Sequence, residues 1–177
     1  MSGHNKWSQI KRQKGANDSK NSKVWGKFSK RISVESKIAN GNVESPTLRS
    51  LIKSALATSM SKDAIDRAIA KGISADSVEL ESVTYETYGP GGVAILIDCL
   101  TDSRNRTAQE MKHLLTEMDL ALAAPGSASW AFSKNPDGTF TATTMVPINE
   151  EDSTKLEKVL ETIDDYDDVQ EVYTNAE

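Results

Sequence analysis

From about residue 16 the chain passes from a polar, aperiodic start into a helical repeat. Val24, Trp25, Phe28 and Ile32 recur at three- and four-residue steps with lysines between them, and Ile38 falls near the same face. Asn40-Gly41-Asn42 marks a stop, because both residue types accept the left-handed cap of a helix end. Ser45-Pro46 then predicts an N-cap followed by proline at the first helical position. The second helix has its apolar face on Leu48, Leu51, Ile52, Ala55, Leu56 and Met60. Ser61 opens a third, short helix carrying Ala64, Ile65, Ala68 and Ile69, which is expected to close at Gly72. Residues 1–15 show no periodicity and read as an arm.

After about residue 75 the period changes to two. Residues 83–88 alternate and are rich in β-branched and aromatic side chains, Gly89-Pro90-Gly91-Gly92 is a turn, and residues 93–100 read as a buried strand. A helix with Met111, Leu114, Leu115 and Met118 on one face comes next, followed by strands over 127–132 and 139–146 around the tight turn Asn135-Pro136-Asp137-Gly138. A helix over 149–164 with Leu156, Val159, Leu160 and Ile163 inward, and a strand over 169–173, complete the chain. The order from residue 93 onward is β-α-β-β-α-β, the ferredoxin-like pattern, with the strand ending at Tyr88 added at its edge. The expected class is therefore α+β. A basic arm and three-helix domain occupies residues 1–75, and an acidic ferredoxin-like α+β domain occupies residues 76–177.

Charge sharpens this division. The 177 residues sum to −5, yet residues 1–75 carry a net +10 and the remainder a net −15. Between Met1 and Arg31 stand nine cations and a single acid, Asp18, with Trp7, Trp25 and Phe28 among them. Cations without acids in their own segment find them elsewhere, and the densest polyanion available is a nucleic-acid backbone. No apolar run approaches the length of a bilayer span, and the start lacks the apolar core of a secretory signal. The lone Cys99 cannot form an internal disulfide. These features point to a cytoplasmic protein without a membrane partner.

Catalytic chemistry has little to rest on. His4 and His113 have no second ligand at metal spacing, Cys99 sits in an apolar strand, and no nucleophile elbow, phosphate loop or dinucleotide fingerprint occurs. No cofactor, metal or small-molecule substrate is expected. Asp164, Asp165, Asp167 and Asp168 are read as exposed acids of a solvated turn. Arg104 and Arg106 are read as lying just before a helix N-terminus, where the macrodipole disfavours cations. Two readings fit that placement: an external phosphate held by guanidinium and helix N–H groups, or salt bridges to the acids of this half.

Five blocks resemble one family. They are Met-Ser-Gly-His-Asn-Lys-Trp at the start, YETYGPGG (85–92), LTDSRNRT (100–107), GSASWAF (126–132) and DVQEVYTNA (168–176). In this order they resemble the YebC/PmpR family, which includes the mitochondrial translational activator of cytochrome c oxidase subunit one. The resemblance implies an N-terminal helical domain, α+β domains after it, and a nucleic-acid-associated role in gene expression, either in transcription or on the ribosome. Typical members carry a further α+β domain between the strands matching 127–132 and 139–146. Here only residues 133–138 join them, so the chain is expected to be a compact variant.

The favoured expectation is a monomeric, non-enzymatic, ribosome-associated RNA-binding translation factor. Its phosphate contacts would be Lys6, Lys11, Arg12, Lys14, Lys20, Lys23, Lys27, Lys30 and Arg31, with Arg104 and Arg106 as a second contact and Trp7 stacked on a base. Trp25 and Phe28 are assigned to the helical core. A DNA-binding transcriptional regulator using the same surface is the alternative, and a protein–protein adaptor the third.

Overall fold

The computed structural model describes residues 18–177, with side-chain surroundings from Asn21 onward. The described residues fall into a helical unit ending at Glu81 and an α+β unit over 82–177.

The helical unit is built from α1 (Asp18–Ile38), α2 (Pro46–Ala57) and α3 (Lys62–Ile73). Its core is Ile32, Leu48, Leu51, Ala55, Met60, Ile65 and Ala68, with Trp25 and Phe28 packed against it, as their spacing predicts. The Trp25 indole N–H donates to the Thr58 carbonyl at 3.0 Å, so its polar edge is satisfied where its rings are covered. Gly41, at φ 74°, lies just beyond the end of α1. Ser61 caps α3 by accepting from the Ala64 N–H.

Three readings change here. Gly72 does not close α3 but lies inside it, because α1 and α3 approach too closely for a side chain. A Cβ at Gly72 would stand 2.2 Å from the Ser33 carbonyl oxygen. The buried Ser36 hydroxyl donates across the same contact to the Ile69 carbonyl at 2.9 Å. Val24 and Ile38 are exposed, since the face centred on Trp25, Phe28 and Ile32 rotates past them over six turns. Leu56 is exposed because it lies about a quarter turn off the face formed by Leu48, Leu51 and Ala55.

Strand β1 (Glu81–Tyr88) starts at the boundary residue and leads into the α+β unit, followed by a short 3₁₀ turn at Pro90–Gly92 and β2 (Ala94–Thr101). Next come α4 (Arg104–Glu117), β3 (Phe132–Lys134), β4 (Phe140–Ala142), α5 (Glu150–Asp164) and β5 (Val169–Thr174). The order β-α-β-β-α-β is thus present from β2. The main sheet runs β1-β2-β5, with β5 antiparallel to β2 from Ile95↔Thr174 to Cys99↔Val169. The β3–β4 ribbon pairs only within itself among the described strands.

Two layers explain why β2 is apolar almost throughout. Val93, Ile95, Ile97 and Cys99 face α4 and α5, meeting Met111, Leu115, Leu156, Leu160 and Ile163. The alternate residues Ala94 and Leu96 face Ala128, Ala131 and Tyr173, with Phe132 and Phe140 alongside. A strand covered on both faces loses the polar half of its alternation.

The ribbon departs most from expectation. Residues 127–132 are not a strand: a 3₁₀ turn occupies Ser129–Ala131, and β3 starts only at Phe132. Burial of Ala128 and Ala131 against the sheet sets this turn, and the small side chains let the backbone lie close. The strand expected over 139–146 shortens to Phe140–Ala142. Beyond it, Thr143 turns back to donate to the Ala131 carbonyl at 2.8 Å, and Val146 bridges to Ala176. Asp168 is not solvated either; it is buried, for reasons given below.

Candidate nucleic-acid interface

Helix α1 carries six cations, Lys20, Lys23, Lys27, Lys30, Arg31 and Lys37, against two acids, Asp18 and Glu35. Lys20, Lys23, Lys27 and Lys30 follow one another at steps of three, four and three residues, which places them along one side of a helix. Trp25, Phe28 and Ile32 pack into the core from the other side. Lys23 and Arg31 are exposed, and Lys27 and Lys30 are half-buried. Lys6, Trp7, Lys11, Arg12 and Lys14 lie outside the described residues. Lys20 lies within α1 but before the first described side chain.

Arg104 and Arg106 sit inside the first turn of α4 rather than ahead of it, behind the N-cap Ser103. The structure separates them. Arg104 is exposed, and its carbonyl accepts from the Tyr85 hydroxyl at 3.3 Å. Arg106 is surrounded by carboxylates: Asp102 at 2.8 Å, Asp168 at 3.0 Å and Glu110 at 3.7 Å. For Arg106 the geometry is that of the salt-bridge reading. Asp168 also accepts from the Thr107 hydroxyl at 2.8 Å, and its own carbonyl accepts from the Leu100 N–H at 2.8 Å. Carboxylates at the start of α4 offset the cost of its arginines there.

A second carboxylate was not singled out by the sequence. Glu86, 6 % exposed in β1, accepts from the backbone N–H groups of Gly126, Ala128 and Ser129 at 2.7, 2.6 and 2.9 Å. Burial pushes this carboxyl up, but the three N–H groups and the Ser129 hydroxyl outweigh it and hold it below its ordinary value. Tyr88 donates from its hydroxyl to the Ser127 carbonyl. The exposed Trp130 donates from its indole N–H to the Tyr88 hydroxyl at 3.1 Å. The available signal was an acid among the β-branched and aromatic residues of 83–88.

These contacts join the sequence blocks in pairs. YETYGPGG is tied to GSASWAF through Glu86 and Tyr88, and LTDSRNRT to DVQEVYTNA through Arg106, Thr107 and Asp168. Asn175 adds a third tie, accepting from the Ala94 N–H and donating to the Thr144 carbonyl, each at 2.8 Å. Among the described residues no group of three or more His, Cys, Asp or Glu is placed to hold a metal ion. None of the described helices is long and apolar enough to cross a membrane.

Known proteins agree with this architecture. The profile of the TACO1/YebC protein N-terminal domain matches residues 5–75, and that of the TACO1/YebC second and third domain matches 80–136 and 135–176. The latter two segments meet inside the turn between β3 and β4. A protein of Petrotoga mobilis, named a probable transcriptional regulatory protein, is 41 % identical over 179 residues, covering 100 % of this chain and 71 % of the relative. One of the same name from Francisella tularensis subsp. novicida is 32 % identical over 237 aligned positions, covering 99 % of this chain and 96 % of the relative. That alignment is longer than this chain, so the relative carries a segment that is absent here. A conserved hypothetical protein from Aquifex aeolicus has the same fold, with a TM-score of 0.79 and 26 % identity over 90 % of this chain and 91 % of that one. With its helical unit and its α+β unit both matched, the chain belongs to the TACO1/YebC family, as a compact member.

Proposed function

We propose that this protein is a non-enzymatic, nucleic-acid-binding regulator of gene expression, acting in the cytoplasm as a monomer through RNA on the ribosome. The observation that carries the reading is the segregation of charge on α1. Four lysines follow one side of a helix whose other side is committed to the core, in a half of the chain that is net positive. Such a stripe releases counterions when it meets a phosphate backbone. The acidic half is repelled by phosphate over most of its length and is assigned the orienting role, with Arg104 as its basic contact. Lys6, Trp7, Lys11, Arg12 and Lys14 extend the contact in this reading, and Arg106 contributes by shaping the turn that presents Arg104.

Sedimentation of the tagged protein through a sucrose gradient of cell lysate, with and without nuclease, tests the proposal. Co-migration with intact ribosomes that is lost at high salt supports it. Absence from every ribosomal fraction rejects the ribosomal part.

Relatives named probable transcriptional regulatory proteins favour a second reading, DNA binding through the same stripe. Helix α3 gives that reading little help as a recognition helix. Its cations Lys62, Arg67 and Lys71 are interleaved with Asp63 and Asp66, and Arg67 folds back from Nε onto the Asp63 carbonyl at 3.2 Å. Genome-wide DNA occupancy decides between the two.

A further inference from the structure

Trp130 leaves 59 % of its surface in water, the largest share among the exposed large apolar side chains of its unit. Three features keep that ring from being a loose surface residue. Ala128, which caps the 3₁₀ turn, and Ala131, which ends it, are fully buried, so the backbone beneath the ring is fixed. The indole N–H already donates to the hydroxyl of Tyr88, a residue itself 39 % exposed, and that hydroxyl donates to the Ser127 carbonyl. The loop bearing Ser127 is held in turn by Glu86 through three backbone N–H groups. Two aromatic rings therefore form one rigid surface whose polar edges are satisfied from within.

What such a surface still offers is its ring faces. A flat π-partner gains from those faces, and because the rings are already immobilised, little side-chain freedom is lost on binding. The surroundings select the partner further. Between Leu120 and Ile148 the only charged residues are Lys134 and Asp137, so this neutral stretch interrupts a half that is otherwise strongly acidic. Glu86, whose carboxylate lies against this loop, is buried and faces three backbone N–H groups, which weakens the repulsion a polyanion meets here. Lys134 ends β3, the strand that follows the 3₁₀ turn, with its ammonium 5.7 Å from the centre of the Phe140 ring.

The geometry points to Trp130 and Tyr88 as a stacking platform for an unpaired nucleobase. The assignment rests on the nucleic-acid reading above and deepens it, since a platform of this kind selects single-stranded segments over duplex. Base–aromatic stacking is tolerant of sequence, so the platform adds affinity for exposed bases rather than a code.

The test titrates the full chain, Trp130→Ala and Trp130→Phe with a short single-stranded oligoribonucleotide and with a hairpin duplex, reading anisotropy and tryptophan emission. Melting curves of both variants establish that they fold. The expected result is quenching of the emission component that disappears in Trp130→Phe, about tenfold weaker single-strand binding by Trp130→Ala, near-retention by Trp130→Phe, and unchanged duplex binding. The combined variant Lys23→Glu, Lys27→Glu, Lys30→Glu separates the two ideas. If it loses binding while Trp130→Ala binds single strands like the parent, the platform is overturned and the basic-helix reading stands. If the parent binds neither nucleic acid, both fall. An emission change at Trp130 with an apolar or proline-rich peptide but not with RNA overturns the platform in favour of a protein partner.

Discussion

Arg106 and Asp168 stand 62 residues apart in sequence, and the Arg106 Nη2 lies 3.0 Å from the Asp168 Oδ2. The carboxylate is the buried member, with 11 % of its side chain exposed against 45 % for the arginine. Thr107 donates to the same oxygen, so one carboxylate gathers the start of α4 and the approach to β5. Replacing Asp168 with Ala removes both bonds, one of them to the buried Thr107 hydroxyl, and leaves the exposed Arg106 guanidinium with Asp102 and Glu110. The expected loss is about 2 kcal/mol, read from urea unfolding followed by circular dichroism. Arg106→Ala is expected to lower the unfolding midpoint as well, whereas Arg104→Ala should leave it nearly unchanged. An unaffected midpoint in Arg106→Ala would return that residue to the set available for phosphate.

Glu86 makes a pH-dependent contribution whose sign follows from its hydrogen bonds. Its carboxyl is held below the ordinary value in the folded state, so the unfolded chain binds the proton first as pH falls. The stabilisation is fully present above the unfolded-state value of about 4.3 and is lost as pH drops through the lower folded-state value. Glu86→Gln should therefore be less stable near neutrality by about 1–3 kcal/mol. Its deficit relative to the parent should shrink in the acid range. Urea titrations at several pH values from neutral to strongly acid check this, and a deficit independent of pH would contradict it.

Reversing Lys23, Lys27 and Lys30 together to Glu should abolish nucleic-acid association at moderate salt and leave the unfolding midpoint close to that of the parent. Where residual binding can be measured, the slope of log affinity against log salt should fall by roughly 2–3, from the loss of three phosphate contacts. Anisotropy titrations across a salt series provide both numbers. An unchanged slope would move the contact surface off α1.

Gly72→Ala introduces a methyl where the Ser33 carbonyl already stands 2.2 Å from the built position. Relief requires α3 to move away from α1, and the Ser36 bond to Ile69 stretches as it does. The expected destabilisation is about 3 kcal/mol, confined to the helical unit, with hydrogen exchange accelerated in α1 and α3. A neutral substitution would show that this contact has room to relax.

Much of this fold was readable from local pattern. The three- and four-residue steps of Trp25, Phe28 and Ile32 and the four apolar residues of α5 each report a contact between an element and its own core, and the Ser45-Pro46 and Ser61 starts report the backbone geometry of a helix end. Those contacts are encoded within a single turn or two. The ribbon was misread because Ala128 and Ala131 are buried by what lies across from them, and small residues carry no period of their own. The interior glycine of α3 was taken for a helix end for the same reason: the carbonyl that demands it belongs to α1.

The candidate interface divides in the same way. The lysine stripe is a property of one helix and of composition, so sequence alone delivers it, along with the α+β class, the order of elements and the opposed charges of the two halves. What Glu86, Asp168 and Arg106 do, and that Trp130 and Tyr88 present a fixed aromatic surface, depends on partners between about 40 and 62 residues away. A carboxylate looks alike in the sequence whether water or three backbone N–H groups surround it. Only the folded chain brings those donors within hydrogen-bond reach, and so only tertiary structure decides which acids are solvent and which are scaffold.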